Sequence, residues 1–239
     1  MDIVKPKDIV TKNIKMLIYG QSGSGKTKFA TNVKDGGKTL LIDLEKGSAS
    51  AYNKNIDSVI VNSAVEYKVV LEELQTDTKY DTIIVDSYTK YAEMLYDTLK
   101  TADPSRQNGQ AVWGDYSFRI TSNTLNLLSL KKNIIITALD DRVLFEDYKI
   151  SFPLVAGQKF KISLPKEFDI VGYLTEDKHG NRILRTDKTN EHMGKDRFGL
   201  LPHSITSDYN DDMQVESNEM YGADGIIDFI NKKFKGQHS

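Results

Sequence analysis

Short unbroken apolar runs alternate with segments of helical spacing over the first 140 residues or so. The runs are "KMLIY" (15–19), "TLLID" (39–43), "SVIV" (58–61), "YDTIIVDS" (80–87) and "NIIITAL" (133–139). Each is too short for a helix core and carries little polar interruption, which predicts strands buried on both faces. Between them, residues 25–33, 64–75, 88–99 and 114–130 place apolar side chains every three or four positions and predict helices, the first stopping near Gly36 and Gly37. Helices separating doubly buried strands predict an α/β fold: a mostly parallel sheet covered by helices on both faces.

Past Leu139 the texture changes. "RVLFEDYKISFPLV" reads as strand or loop, and 168–187 as a hairpin turning at 178–181. Residues 203–222 are polar and acidic and read as surface, and 225–234 form a short amphipathic helix. The expected organisation is one domain over 1–239. It comprises an α/β core (14–139), a β-rich flank (140–200) and a polar segment with a terminal helix (201–239).

Composition narrows the classes. The chain has 239 residues, 39% apolar and 28% charged, enough for a substantial core. The net charge of −2 advertises neither nucleic acid nor an anionic membrane, so any basic surface is local. The absence of cysteine excludes disulfides and thiolate metal sites. The four histidines and single tryptophan show no metal-ligand spacing. The opening "MDIVKPKDIV" has no apolar secretory core and no run reaches membrane-spanning length. A cytoplasmic protein without a membrane partner is the expectation.

Residues 20–27, "GQSGSGKT", fit G-x-x-x-x-G-K-S/T between a predicted strand and a predicted helix, the context a phosphate loop requires. Glycines let backbone N–H groups wrap phosphates without a Cβ in the way, and a helix N-terminus adds positive dipole. Gly20, Gln21, Ser22, Gly23, Ser24, Gly25, Lys26 and Thr27 are the expected nucleotide-binding set. Lys26 would reach the β- and γ-phosphates, and the Thr27 hydroxyl would ligate Mg²⁺. The plain alternative, a Gly/Ser-rich turn that binds nothing, fits the strand–loop–helix context less well.

Acids at predicted strand ends complete the candidate set. Parallel sheets present ligand sites at the carboxyl ends of their strands. Asp86 closes "TIIVD" and is expected to hold Mg²⁺ opposite Thr27; alternatively it caps the next helix, a role open to Ser87 as well. Asp43 and Glu45 lie at and just past the end of "TLLID". Glu45, two residues further out, is expected to orient or deprotonate water. Asp43 would support it or contact metal, and the choice of essential acid stays open.

The order "GQSGSGKT", "LLIDLEKG", "IIVDS", "NIIITAL" resembles the RecA-type ATPase core. "GKDRFG" (194–199) resembles the "KNRFG" motif of RadA-like bacterial recombination ATPases, and the layout over about 14–200 is similar to small phage-encoded Sak-type recombination ATPases. The resemblance implies an ATP- and Mg²⁺-dependent hydrolase in phage recombination or single-strand annealing, in the host cytoplasm. It further implies a homo-oligomeric ring or filament on single-stranded DNA, with a single-strand-binding protein as partner. Carried over, Lys195 and Arg197 would act on nucleotide in a neighbouring subunit, and Thr137 would face the nucleotide. Ala138 departs from the Asn-Gln pair of RecA proteins. With the near-neutral charge, that departure suits a second reading: a nucleotide-dependent switch or scaffold without direct DNA binding.

Candidate DNA contacts are sparse. Arg106, Trp113 and Arg119 combine cations with an aromatic in and after a polar loop, a composition suited to stacking bases and meeting phosphates. Arg142 follows the strand "NIIITAL", where RecA-type cores place a DNA-binding loop. Lys178, His179, Arg182 and Arg185 form a further patch on the predicted hairpin. Each also reads as an ordinary charged surface, and Trp113 as the anchor of its helix.

Overall fold

The computed structural model describes residues 13–33, 36–47, 55–102, 109–145, 148–206, 220 and 222–236. Its central strand is β1 (Lys15–Gly20), whose last five residues are all buried. Around it stand β2 (Thr39–Asp43), β3 (Asp57–Ile60), β4 (Thr82–Asp86) and β5 (Asn133–Phe145). β6 (Tyr148–Pro153), β7 (Ile170–Glu176), β8 (Arg182–Arg185), β9 (Lys195–Asp196) and β10 (Ser204–Thr206) follow. The sheet order is β10-β8-β7-β1-β5-β4-β2-β3, with β6 added to β5 and β9 to β7. All contacts from β7 through β3 along that order are parallel; those of β8, β10, β6 and β9 are antiparallel. This is the P-loop type of α/β fold, with β5 inserted between the loop strand β1 and the strand that ends at Asp86.

β1, β2 and β4 read as unbroken apolar runs because both faces are covered, whereas β3, expected from "SVIV" to be buried likewise, is the edge strand of the sheet and exposes Ser58 and Ile60. Leu17, Tyr19, Ile83, Val85, Ile134 and Ile136 face one layer. It is built by α2 (Ala64–Leu74), α3 (Tyr88–Ala102) and α4 (Gly109–Ser129). Met16, Ile18, Leu41, Ile84 and Ile135 face the other. There lie α1 (Lys26–Ala30) and, after the short α5 (Gln158–Ser163) elsewhere in the chain, α6 (Gly222–Gly236). Alternate residues therefore serve opposite cores although the sequence shows no alternation. The start of α2 is legible locally: the Glu66 N–H donates to Ser63 Oγ at 3.1 Å and the Glu66 carboxylate accepts the Asn62 N–H at 2.7 Å.

Three further expectations need correction. The helix after the phosphate loop ends at Ala30, not residue 33, because α6 packs across its end; a Cβ on Gly222 would sit 2.7 Å from Asn32 Nδ2. β5 runs past Leu139 to Phe145, because Asp140 through Phe145 pair with β6 and Val143, Ile150 and Phe152 share a small core. Part of the expected surface segment is strand: Ile205 of β10 is buried against β8, while 207–219 lie outside the described residues. The expected hairpin is β7–β8, its turn ordered by the Asp177 carboxylate accepting the N–H groups of His179 and Asn181. β7 lies against β1, so the C-terminal flank continues the same sheet. No helix among the described residues is long and apolar enough to cross a membrane.

Candidate active site

The loop from Gly20 to Thr27 leaves the carboxyl end of β1 and enters α1. Gly23 and Gly25 hold φ at 78° and 93°, the left-handed region that a side chain rarely adopts. A Cβ on Gly20 would run into the carbonyl oxygen of Leu174 on β7. The buried Lys26 ammonium donates to the carbonyls of Gly20 at 3.0 Å and Gln21 at 2.7 Å. Burial pulls its pKa below the usual lysine value, and the carboxylates of Asp86, Glu45 and Asp140 oppose that shift. Ser24 Oγ is buried without a hydrogen-bond partner among the described residues. A buried orphan hydroxyl within a glycine-lined loop fits a phosphate ligand, since buried polar groups otherwise find partners.

Three strand ends converge beside the loop. Thr27 Oγ1 donates to Asp86 Oδ2 at 2.6 Å, and Thr137 Oγ1 on β5 donates to Asp86 Oδ1. Asp86 is thereby bonded on both oxygens, and the peptide that follows it is cis. Burial pushes its carboxyl above the usual carboxylate range. The hydrogen bonds from Thr137 and Thr27 pull it back, and the charges of Glu45 and Asp43 push it up further. Thr137, expected to face the nucleotide, is fully buried with its hydroxyl bonded to Asp86.

The acids after β2 separate by geometry. Asp43 is 1% exposed, and its Oδ1 accepts the N–H groups of Glu45 at 3.1 Å and Gly47 at 3.2 Å. It orders the turn. Glu45 is exposed, and its Oε1 accepts from Ser87 Oγ, next to Asp86. Glu45 is thus the acid presented to solvent beside the Asp86–Thr27 pair. Among the described residues no group of three or more His, Cys, Asp or Glu could hold a metal alone. Mg²⁺ binds through one or two protein groups, substrate phosphates and water; Thr27 and Asp86 are the groups that would hold it.

Lys195 and Arg197 lie elsewhere in the subunit. β9 pairs with the start of β7, where Ile170 aligns with Met16, at the far end of β1 from the loop. Lys195 Nζ donates to the carbonyls of Lys166 at 2.9 Å and Phe168 at 2.6 Å, and Arg197 Nη1 to Asp169 Oδ1 at 2.6 Å. Neither is therefore placed at the loop of its own chain.

The DNA candidates do not gather at one surface. Arg106 lies outside the described residues. Trp113 packs against Tyr96, ring centroids 4.7 Å apart, and edge-on to Tyr116. Arg119 is exposed on α4 near Tyr91. Arg142 opens onto a groove of about 710 Å³ between the β5–β6 and β7–β8 hairpins, together with Lys149, Arg185, Tyr173 and His192, and neither Trp113 nor Arg119 lines it. The acids Glu176 and Glu191 share the groove.

One arginine has a place the sequence did not suggest. Arg182 on β8, read there as part of a nucleic-acid patch, lies against the phosphate loop: a Cβ on Gly25 would be 3.5 Å from its Cδ and 3.7 Å from Nη1. No local signal joins residues 25 and 182; only the β7–β8 hairpin folding beside β1 does. A family model described as an AAA domain matches residues 12–198, from just before β1 through the Arg197 motif. No curated protein matches the chain.

Proposed function

This chain belongs to the AAA-domain family of P-loop ATPases, and we propose that it is a Mg²⁺-dependent ATP hydrolase working as a homo-oligomer on single-stranded DNA, in phage recombination or strand annealing. The observation that carries the hydrolase reading is the junction of loop and acids. Thr27 and Thr137 clamp Asp86, while Glu45 reaches Ser87 next to it. Lys26 and the loop N–H groups bind the phosphates. Glu45 takes the role of base or water-orienting group, because it is the exposed acid, and Asp43 holds its backbone in place. Mg²⁺, when bound, neutralises charge developing on the phosphoryl oxygens.

The DNA reading draws on the resemblance to RecA-type recombination ATPases and on the groove holding Arg142, Lys149 and Arg185. Oligomer formation draws on Lys195 and Arg197. Placed away from their own loop, they have a role in hydrolysis only across a subunit boundary. A host-cytoplasmic location and a single-strand-binding partner belong to the same reading.

The competing reading, a nucleotide switch or scaffold, is favoured by Ala138. It is fully buried in the apolar core and offers no polar group to sense phosphate or signal to DNA. ATP turnover measured with and without single-stranded DNA, at low and then higher salt, separates the two. Stimulation and salt-sensitive retention support the recombination reading; neither, at low salt, overturns it in favour of the switch.

A further inference from the structure

The phosphate loop has a wall supplied by the β7–β8 hairpin. The Leu174 carbonyl blocks any side chain at Gly20, and a cavity of about 240 Å³ lies between Gln21–Ser24 and Leu174, Thr175 and Glu176. Across the hairpin, Glu176 pairs with Arg182. Leu184, two residues along β8, faces the core layer that contains Phe29 and Ala30 of α1. Strand alternation therefore turns Arg182 toward the same side as α1, where the loop ends. Its Cδ, Nη1 and Nε stand 3.5, 3.7 and 3.8 Å from the position a Cβ on Gly25 would take. Arg185, an odd number of residues away, faces instead the groove beyond the other side of the hairpin.

From this geometry we propose that Arg182 contacts the phosphate chain of the nucleotide bound by its own subunit, closing the loop from the hairpin side. The inference rests on the reading that the loop holds a nucleoside di- or triphosphate. A guanidinium carries a fixed planar fork that meets phosphate oxygens through paired charge-assisted hydrogen bonds, and it stays charged at any working pH. Gly25 keeps the space between the arginine and the loop clear: any side chain there would be strained at φ 93° and would stand in van der Waals contact with Arg182. This assignment moves Arg182 from a nucleic-acid patch to the nucleotide. It also differs from the role given to Arg197, because Arg182 acts in cis.

The test uses the full-length chain with Arg182→Ala and Arg182→Lys, and reads three quantities. Affinity for fluorescent ADP and for a non-hydrolysable ATP analogue falls about 10-fold or more for Arg182→Ala and is partly regained by Arg182→Lys. Melting temperature without nucleotide stays at the wild-type value, which separates contact from folding. If the alanine variant melts early, Arg182→Gln carries the same expectation. Arg182→Ala mixed with Lys26→Ala turns over no faster than the two separately, because a cis residue cannot be lent to a neighbour. Wild-type affinity in Arg182→Ala, or turnover restored by mixing, overturns the proposal while leaving the loop's role intact. A wild-type chain that binds neither nucleotide overturns both.

Discussion

Thr27 Oγ1 gives its proton to Asp86 Oδ2 at 2.6 Å, tying the end of the phosphate loop to the end of β4. The bond leaves the lone pairs of the threonine oxygen free for a cation and aims the acid at the same point. Thr27→Ser keeps this arrangement and is expected to retain most turnover. Thr27→Ala and Asp86→Asn are expected to lose it, with Mg²⁺ no longer increasing nucleotide affinity. Titration of a fluorescent nucleotide with and without Mg²⁺ reads the difference; a Thr27→Ala chain that still responds fully to Mg²⁺ contradicts the assignment.

Thr137 bonds the other oxygen of Asp86 from β5. Removing a hydrogen bond to a buried charged group costs about 1.5–3 kcal/mol. Thr137→Val keeps the shape and is expected to lower turnover by roughly 10-fold or more. It also leaves burial less opposed, so the acid limb of the pH–rate profile moves to higher pH. An unmoved limb with unchanged turnover argues against a positioning role for Thr137.

Glu45 and Asp43 are expected to fail differently. Glu45→Gln should abolish hydrolysis while nucleotide binding and melting temperature stay unchanged, since Glu45 is exposed. Asp43→Asn weakens a buried acceptor of two backbone N–H groups and should cost about 1–3 kcal/mol of stability. Calorimetry beside a phosphate-release assay distinguishes them. A hydrolytically active Glu45→Gln chain would falsify the choice of base.

Lys15 links pH to stability away from the site. Its ammonium donates to the carbonyls of Leu130 at 2.7 Å and Lys132 at 2.6 Å. Burial lowers its pKa to about 8, partly opposed by Asp169. Between about 8 and the ordinary lysine value the unfolded chain holds a proton that the folded chain has lost, so stability rises with pH across that window. Above about 10 the buried tyrosines act oppositely: burial raises Tyr91 to about 12, so the unfolded chain ionises first and stability falls. Lys26 and Lys195, also lowered by burial, add to the rise, so Lys15→Met is expected to reduce it and keep the fall, as read by denaturant midpoints from pH 7 to 11.

Arg197 and Asp169 form an ion pair whose carboxylate is buried and whose guanidinium is half exposed. Arg197→Ala is therefore expected to lower the melting temperature of the isolated chain slightly, whatever its role in an assembly. If it also acts across a subunit boundary, mixing Arg197→Ala with Lys26→Ala restores part of the turnover, because each supplies what the other lacks. No restoration at any mixing ratio leaves Arg197 a structural residue.

The sequence alone determined most elements of the α/β core and the loop, though not where the first helix and β5 end. Unbroken apolar runs point to covered strands, as β1, β2 and β4 are, although "SVIV" forms the half-exposed edge strand β3; "GQSGSGKT" between strand and helix admits a phosphate cradle, and acids closing such strands belong at the sheet's carboxyl edge. These are short-range facts of periodicity and backbone permissiveness. Strand order was decided by tertiary structure: β5 enters between β1 and β4, which alone brings Thr137 onto Asp86. The same holds for the choice between Asp43 and Glu45, neighbours in sequence that differ by which one the packed strand end buries. Arg182 and Arg197 show the limit most clearly. Both are basic residues of the C-terminal flank; "GKDRFG" marks Arg197 out in the sequence, but no local pattern marks Arg182 or says where in the fold either lies. One is carried to the loop by a hairpin paired beside β1, and the other is held at the opposite end of β7, because those positions depend on pairings between residues far apart in the chain.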